Sequence, residues 1–128
     1  IKPLVVTGDW DRIVQIGEPA INNLLEIVNT RNSDFPLEVL MVMGDIGGEK
    51  AVEALINQLS NRNPDVRFYA AEALGKIKNR RTIPMLIELL SDPHWKVKNQ
   101  AAESLCMITG QFFGESQEEW RKWWEENQ

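Results

Sequence analysis

The chain has one cysteine and one histidine among 128 residues, and each scarcity excludes something. A lone thiol, Cys106, closes no internal disulfide, so stability has to come from packing and a cytoplasmic, reducing location is expected. A lone imidazole, His94, rules out a multi-histidine metal site and leaves no spare base for a Ser-His-Asp system. No apolar run approaches the roughly 18 residues that cross a bilayer, so no membrane partner is expected. An initiator Met and a signal-like segment are also missing: the chain opens Ile1-Lys2-Pro3, as an excised piece or processed product would. The carboxylate pairs Glu118-Glu119 and Glu125-Glu126 are adjacent in sequence and diverge on a helix, which does not suit joint acid-base work. Gly47-Gly48 lacks the strand that precedes a phosphate-cradling loop. The expectation is a non-enzyme with no catalytic residues, no metal and no cofactor.

What the sequence does have is a period. Ile21, Val52 and Ile83 fall 31 residues apart, as do Leu24, Leu55 and Leu86, then Leu25, Ile56 and Ile87, then Val28, Leu59 and Leu90. Gly44 and Gly75 match, with Cys106 next in line, and Val66-Arg67 is echoed by Val97-Lys98. Self-similarity at this period marks stacked helix pairs, each unable to bury its apolar face alone. The apolar spacing predicts first helices over 36–46, 66–77 and about 94–109, and second helices over 18–28, 49–60 and 83–90. A short helix from Trp10 to Ile16 precedes them. Pro64 suits a first helical turn, Thr82 is the expected N-cap of the helix from Ile83, and Gly110 ends the third first helix. Ser116 with Glu119 reads as a capping box, after which Trp120, Trp123 and Trp124 share one face of a last helix.

The expected fold is all-α: a right-handed α-α superhelix, or solenoid, of about three and a half repeats, closed by a Trp-rich C-terminal capping helix. One domain over 1–128 is expected, with a degenerate N-terminal repeat at 1–33, regular repeats at 34–110 and a cap at 111–128. The stretches from Val66 to Ile77 and from Thr82 to Leu90 closely resemble the two helices of the HEAT-like repeat named after phycobilisome (PBS) lyases. The resemblance covers about Asp9 to Gly110 and implies a scaffold or protein-binding role. It also implies that second helices line a concave face, and that Arg67 and Lys98 bridge to acids or carbonyls of the adjacent turn. A bilin-attachment role follows from the family label alone.

Glu26, Asn57 and Glu88 recur at one solvent-facing position of the second helices, beside Glu53, Met85 and Leu89. The candidate contacts for an unidentified protein or peptide are therefore Glu53, Asn57, Met85, Glu88 and Leu89, a mildly acidic face suited to a peptide or helix of mixed polarity. The alternative lies in charge. The net charge is −5, yet eight Lys or Arg stand against four acids between Arg62 and Lys98. Lys76, Lys78, Arg80 and Arg81 cluster at one turn and offer a phosphate or nucleic-acid site. No aromatic is interleaved there for base stacking, which ranks nucleic acid second. Phe112, Phe113 and the last tryptophans are expected to cover the end of the stack, and Cys106 to be a buried, inert thiol at a tight helix contact.

Overall fold

The computed structural model describes residues 10–31 and 35–128. Residues 1–9 and 32–33 of the expected degenerate repeat, with the Ile1-Lys2-Pro3 opening, lie outside the described residues. Among the described residues the chain is helical without strands: α1 Trp10–Ile16, α2 Ile21–Arg31, α3 Glu38–Ile46, α4 Glu49–Gln58, α5 Pro64–Ile77, α6 Ile83–Leu89, α7 Trp95–Thr109 and α8 Gln117–Asn127. Short 3-10 turns, Glu18–Ala20 and Arg80–Thr82, lead into α2 and α6.

The helices begin and end where local chemistry dictates. Asn63 accepts a hydrogen bond from the Asp65 N–H at 2.9 Å, Pro64 needs no partner for a missing N–H, and α5 follows. His94 does the same one repeat later, its Nδ1 accepting from the Lys96 N–H at 3.2 Å ahead of α7. Gly110, at φ 75°, ends α7 with its N–H donated to the Cys106 carbonyl. Thr82 departs from expectation. It sits in the helical region, and its hydroxyl donates to the Asn79 carbonyl at 2.8 Å instead of accepting a helix N–H. Asn79 is the cap, accepting from the Arg81 N–H at 3.0 Å, because the 3-10 turn starts the second helix three residues earlier.

Two layers result, as a HEAT-like solenoid requires. The first helices α1, α3, α5 and α7 pack in succession, and in the other layer α2 packs on α4 and α6 on α8. Close approach in the first layer depends on glycine. A Cβ on Gly44 would stand 2.8 Å from the Ala73 Cβ, and one on Gly75 would stand 2.7 Å from the Ser104 Oγ. Ser104 is itself fixed, donating to the Ala71 carbonyl at 2.7 Å while accepting from Gln100 Nε2. Ile13, Leu24, Leu40, Leu55, Leu74, Leu86, Leu105 and Trp120 belong to one buried cluster that runs the length of the stack. Neighbouring repeats are also tied ionically: Arg67 forks onto both Asp92 oxygens, Nε at 2.7 Å and Nη2 at 3.1 Å, and its Nη1 donates to the Asn61 carbonyl at 2.8 Å.

The C-terminal tail takes the slot of a further second helix although its sequence leaves the 31-residue register. Ser116 accepts from the Glu119 N–H and starts α8. Trp120 is fully buried, its indole N–H donating to the Gly114 carbonyl at 2.8 Å, and Phe113 meets it edge-on with centroids 4.9 Å apart. Phe112 does not join the cover. It is 83% exposed, since only one of two consecutive loop residues can turn toward Trp120.

Candidate functional site

The second helices α4 and α6 are neighbours with a groove between them. Two adjoining depressions, about 500 Å³ and about 310 Å³ in volume, share Ile56 and Met85 as common lining. The first is lined also by Glu53, Asn57 and Arg81, the second by Leu59, Ser60, Glu88 and Leu89. The five residues singled out on the sequence thus line one surface feature. Leu59 and Leu89 are buried, so they form a floor, while Glu53, Asn57, Met85 and Glu88 are exposed and stand at its rim. An apolar floor with a polar rim is the composition of a site for an amphipathic segment.

Charged side chains bracket the groove. At one end Arg81, arriving from the turn before α6, pairs with Glu49 and lies 3.6 Å from a Glu53 oxygen. Near the other end Arg121 of α8 pairs with Glu88 at 2.9 Å, while Gln117 donates to the Ile87 carbonyl at 2.9 Å. All are half- to fully exposed, so these pairs steer more than they stabilise, at about 0–1 kcal/mol each. Sequence periodicity pointed to the second-helix face; it did not single out Ile56, Leu59, Ser60 and Arg81 as contributors. Ile56 and Leu59 carry the core signature of the repeat, and only the spacing of α4 and α6 exposes their outer edges.

A family model described as HEAT repeats matches residues 15–106. The chain belongs to the HEAT repeat family. No curated protein matches it. HEAT repeats commonly mediate protein–protein interaction or scaffolding and are generally non-catalytic, and the pairs α3–α4 and α5–α6, with their capped turns, are the HEAT units that hold this groove.

The basic turn of the third HEAT unit has a different geometry from a cation cluster. Arg80 donates to the Asn127 carbonyl at 2.8 Å and lies over the rings of Trp123 and Trp124, 5.8 and 5.5 Å from their centroids. Arg81 points to α4, and Lys76 approaches Asp45 at 3.5 Å. Lys78 is exposed and holds the left-handed conformation, φ 59°, where the preceding HEAT unit has Gly47 at φ 72°. Sequence adjacency brings the four together along the chain, and the fold directs three of them to three separate sets of protein groups.

His94 caps the start of α7 and Cys106 lies in its last turns. Twelve residues of helix separate them by about 18 Å, too far for a base to reach a nucleophile. Burial pushes the Cys106 thiol above its ordinary value, with the Glu103 carboxylate adding to the effect, so the reactive thiolate is disfavoured. The thiol is half-buried, not fully buried as expected, because no described helix packs on α7 as α7 packs on α5. Among the described residues no group of three or more His, Cys, Asp or Glu is placed to hold a metal ion. None of the described helices is long and apolar enough to cross a membrane.

Proposed function

We propose that this protein is a non-catalytic interaction module of the HEAT type that takes a peptide or helix of mixed polarity from a protein partner into the α4–α6 groove, on the concave side of its stack. One observation carries the reading: Glu53, Asn57, Met85, Glu88 and Leu89 converge on a single groove with an apolar floor and a charged rim. The partner would place apolar side chains against Ile56, Leu59, Met85 and Leu89, and polar ones against Asn57 and the ionic ends. A preformed helical frame lowers the ordering cost of such binding. The 31-residue spacing of the caps Asn63 and His94 supports the short, PBS-lyase-like subtype of repeat. The continuous buried cluster supports one repeat domain, and the lone thiol fits the cytoplasm. Phosphate or nucleic-acid binding through Lys76, Lys78, Arg80 and Arg81 has less support, since three of these cations already face protein groups.

The test uses two methionines of nearly equal exposure, Met85 at 39% in the groove and Met41 at 37% on α3. A photo-crosslinking residue replaces each in turn, and the protein is exposed to native lysate at low and high salt, with and without nuclease. The expected result is one protein cross-linked at stoichiometric yield through position 85 and not through 41, at both salt concentrations. Equal labelling from both positions, or recovery only of nuclease-sensitive material that washes off with salt, would overturn the groove assignment.

A further inference from the structure

The repeat makes it visible what the outward side of a first helix does when it is covered. On α5, Arg67, Phe68, Ala71 and Gly75 are all covered from the next unit. Arg67 pairs with Asp92, Phe68 lies under the Lys96 ammonium at 5.0 Å, the Ala71 carbonyl receives the Ser104 hydroxyl, and Gly75 abuts Ser104. Thirty-one residues on, α7 carries Lys98, Asn99, Ala102 and Cys106 at the same positions. Ala102 is already buried within the chain, but no described helix packs extensively along the Lys98, Asn99 and Cys106 positions. Lys98 is half-buried and, unlike Arg67, pairs with no carboxylate among the described residues. Trp95, 70% exposed, stands where α5 has Pro64, and the exposed Phe112 follows the other end of α7. Large exposed aromatics beside a helix are what partner anchors look like before binding.

We propose that this edge of α7 docks a helix of a partner protein, laid along α7 as α7 lies along α5, with a carboxylate just before its N-cap paired to Lys98. The chemistry of the occupant is read from the internal precedent. Asp92 precedes the His94 cap of α7 by two residues and holds the Arg67 fork, so the equivalent carboxylate of an incoming helix reaches the Lys98 ammonium. The precedent also fixes a size requirement. Gly75 accepts Ser104 at contact because it has no Cβ, whereas Cys106 brings a side chain to that point, so the incoming helix needs glycine where α7 has Ser104. The edge is thereby selective: an acidic, glycine-bearing helix fits, and the ordinary repeat helix of this chain does not.

A peptide copying residues 90–109, stapled to hold the helix and carrying Ser104→Gly, is the probe, with Asp92 as its carboxylate. Its binding to the whole protein is read by fluorescence anisotropy of a label on the peptide. Saturable binding is expected, weakened about tenfold by Lys98→Glu in the protein and restored when the peptide carries Asp92→Lys. The unsubstituted peptide, with serine opposite Cys106, should bind more weakly than the glycine version. Because Lys98 pairs with no carboxylate among the described residues, Lys98→Glu should leave the thermal midpoint unchanged, which separates lost docking from lost folding. Absence of saturable binding at millimolar peptide, or equal affinity with Lys98→Glu, would overturn the proposal. A concentration-dependent dimer of the protein alone, abolished by Lys98→Glu, would assign the edge to a second copy and overturn it equally. None of these variants touches the α4–α6 groove, so this result and the cross-linking result stand or fall separately.

Discussion

Asp92 is the residue on which the junction between repeats converges. Its carboxylate holds the Arg67 fork from α5 and accepts the His94 N–H at 2.9 Å, joining the first helix of one unit to the start of the next. Both side chains are largely withdrawn from water, so removing one partner strands the other charge. Asp92→Ala should cost about 3–5 kcal/mol in urea unfolding, and Arg67→Met in that background should recover part of the loss by removing the stranded cation. Gly75→Ala tests the opposite kind of contact. In an open helix alanine gains up to about 1 kcal/mol over glycine. Here the new methyl would meet a serine tethered to the Ala71 carbonyl, which cannot swing aside, so the clash should win by about 1–3 kcal/mol. The glycine contact was legible in the sequence because Gly44 and Gly75 recur at the repeat spacing. Arg67 was legible only as a bridging cation: its partner lies 25 residues away in a Ser-Asp-Pro stretch that reads as a mere helix stop.

At the level of the element, α6 shows how a seven-residue helix is held. It enters through a 3-10 turn capped by Asn79, and α8 packs along it. Asn79→Ala should lower stability by about 1 kcal/mol, and a series with Asn79→Gly should show a smaller loss, as chemical denaturation would report. Trp120→Ala should cost about 3–5 kcal/mol, since it removes a fully buried indole and the hydrogen bond to Gly114. Existence of these helices and the shared face of the tryptophans were readable from spacing; that Trp120 is the ring fully buried was not, because spacing does not say which of three rings on one face meets the stack. The cap was misplaced because threonine before an apolar run is the commoner signal, and a 3-10 entry shifts the start without altering the apolar pattern. Phe112 was misassigned for a related reason: adjacent phenylalanines in a loop carry no periodicity from which to say which one turns inward.

Taken as a whole, the molecule is tight in one layer and open in the other, and both follow from residue size. Glycine and alanine let α3, α5 and α7 approach closely, whereas α4 and α6 face each other across larger side chains and leave the groove that the proposed function uses. The period announced the layers but not the gap, because the same leucines and isoleucines serve whether second helices touch or part. A stack also holds each unit only through its neighbours, so stability should spread by adjacency instead of through one global core. Native-state hydrogen exchange tests this directly. Amides of α5 and α7, each flanked on the first-helix layer by the closest packing, should exchange slowest, and those of α1 and α2 faster. Trp120→Ala should then accelerate exchange in α6, α7 and α8 while leaving α3 nearly unchanged, because α8 packs on α6 and lies two units away from α3. An equal acceleration in every helix would show that the repeats unfold as one cooperative block, and the nearest-neighbour description of this chain would have to be abandoned.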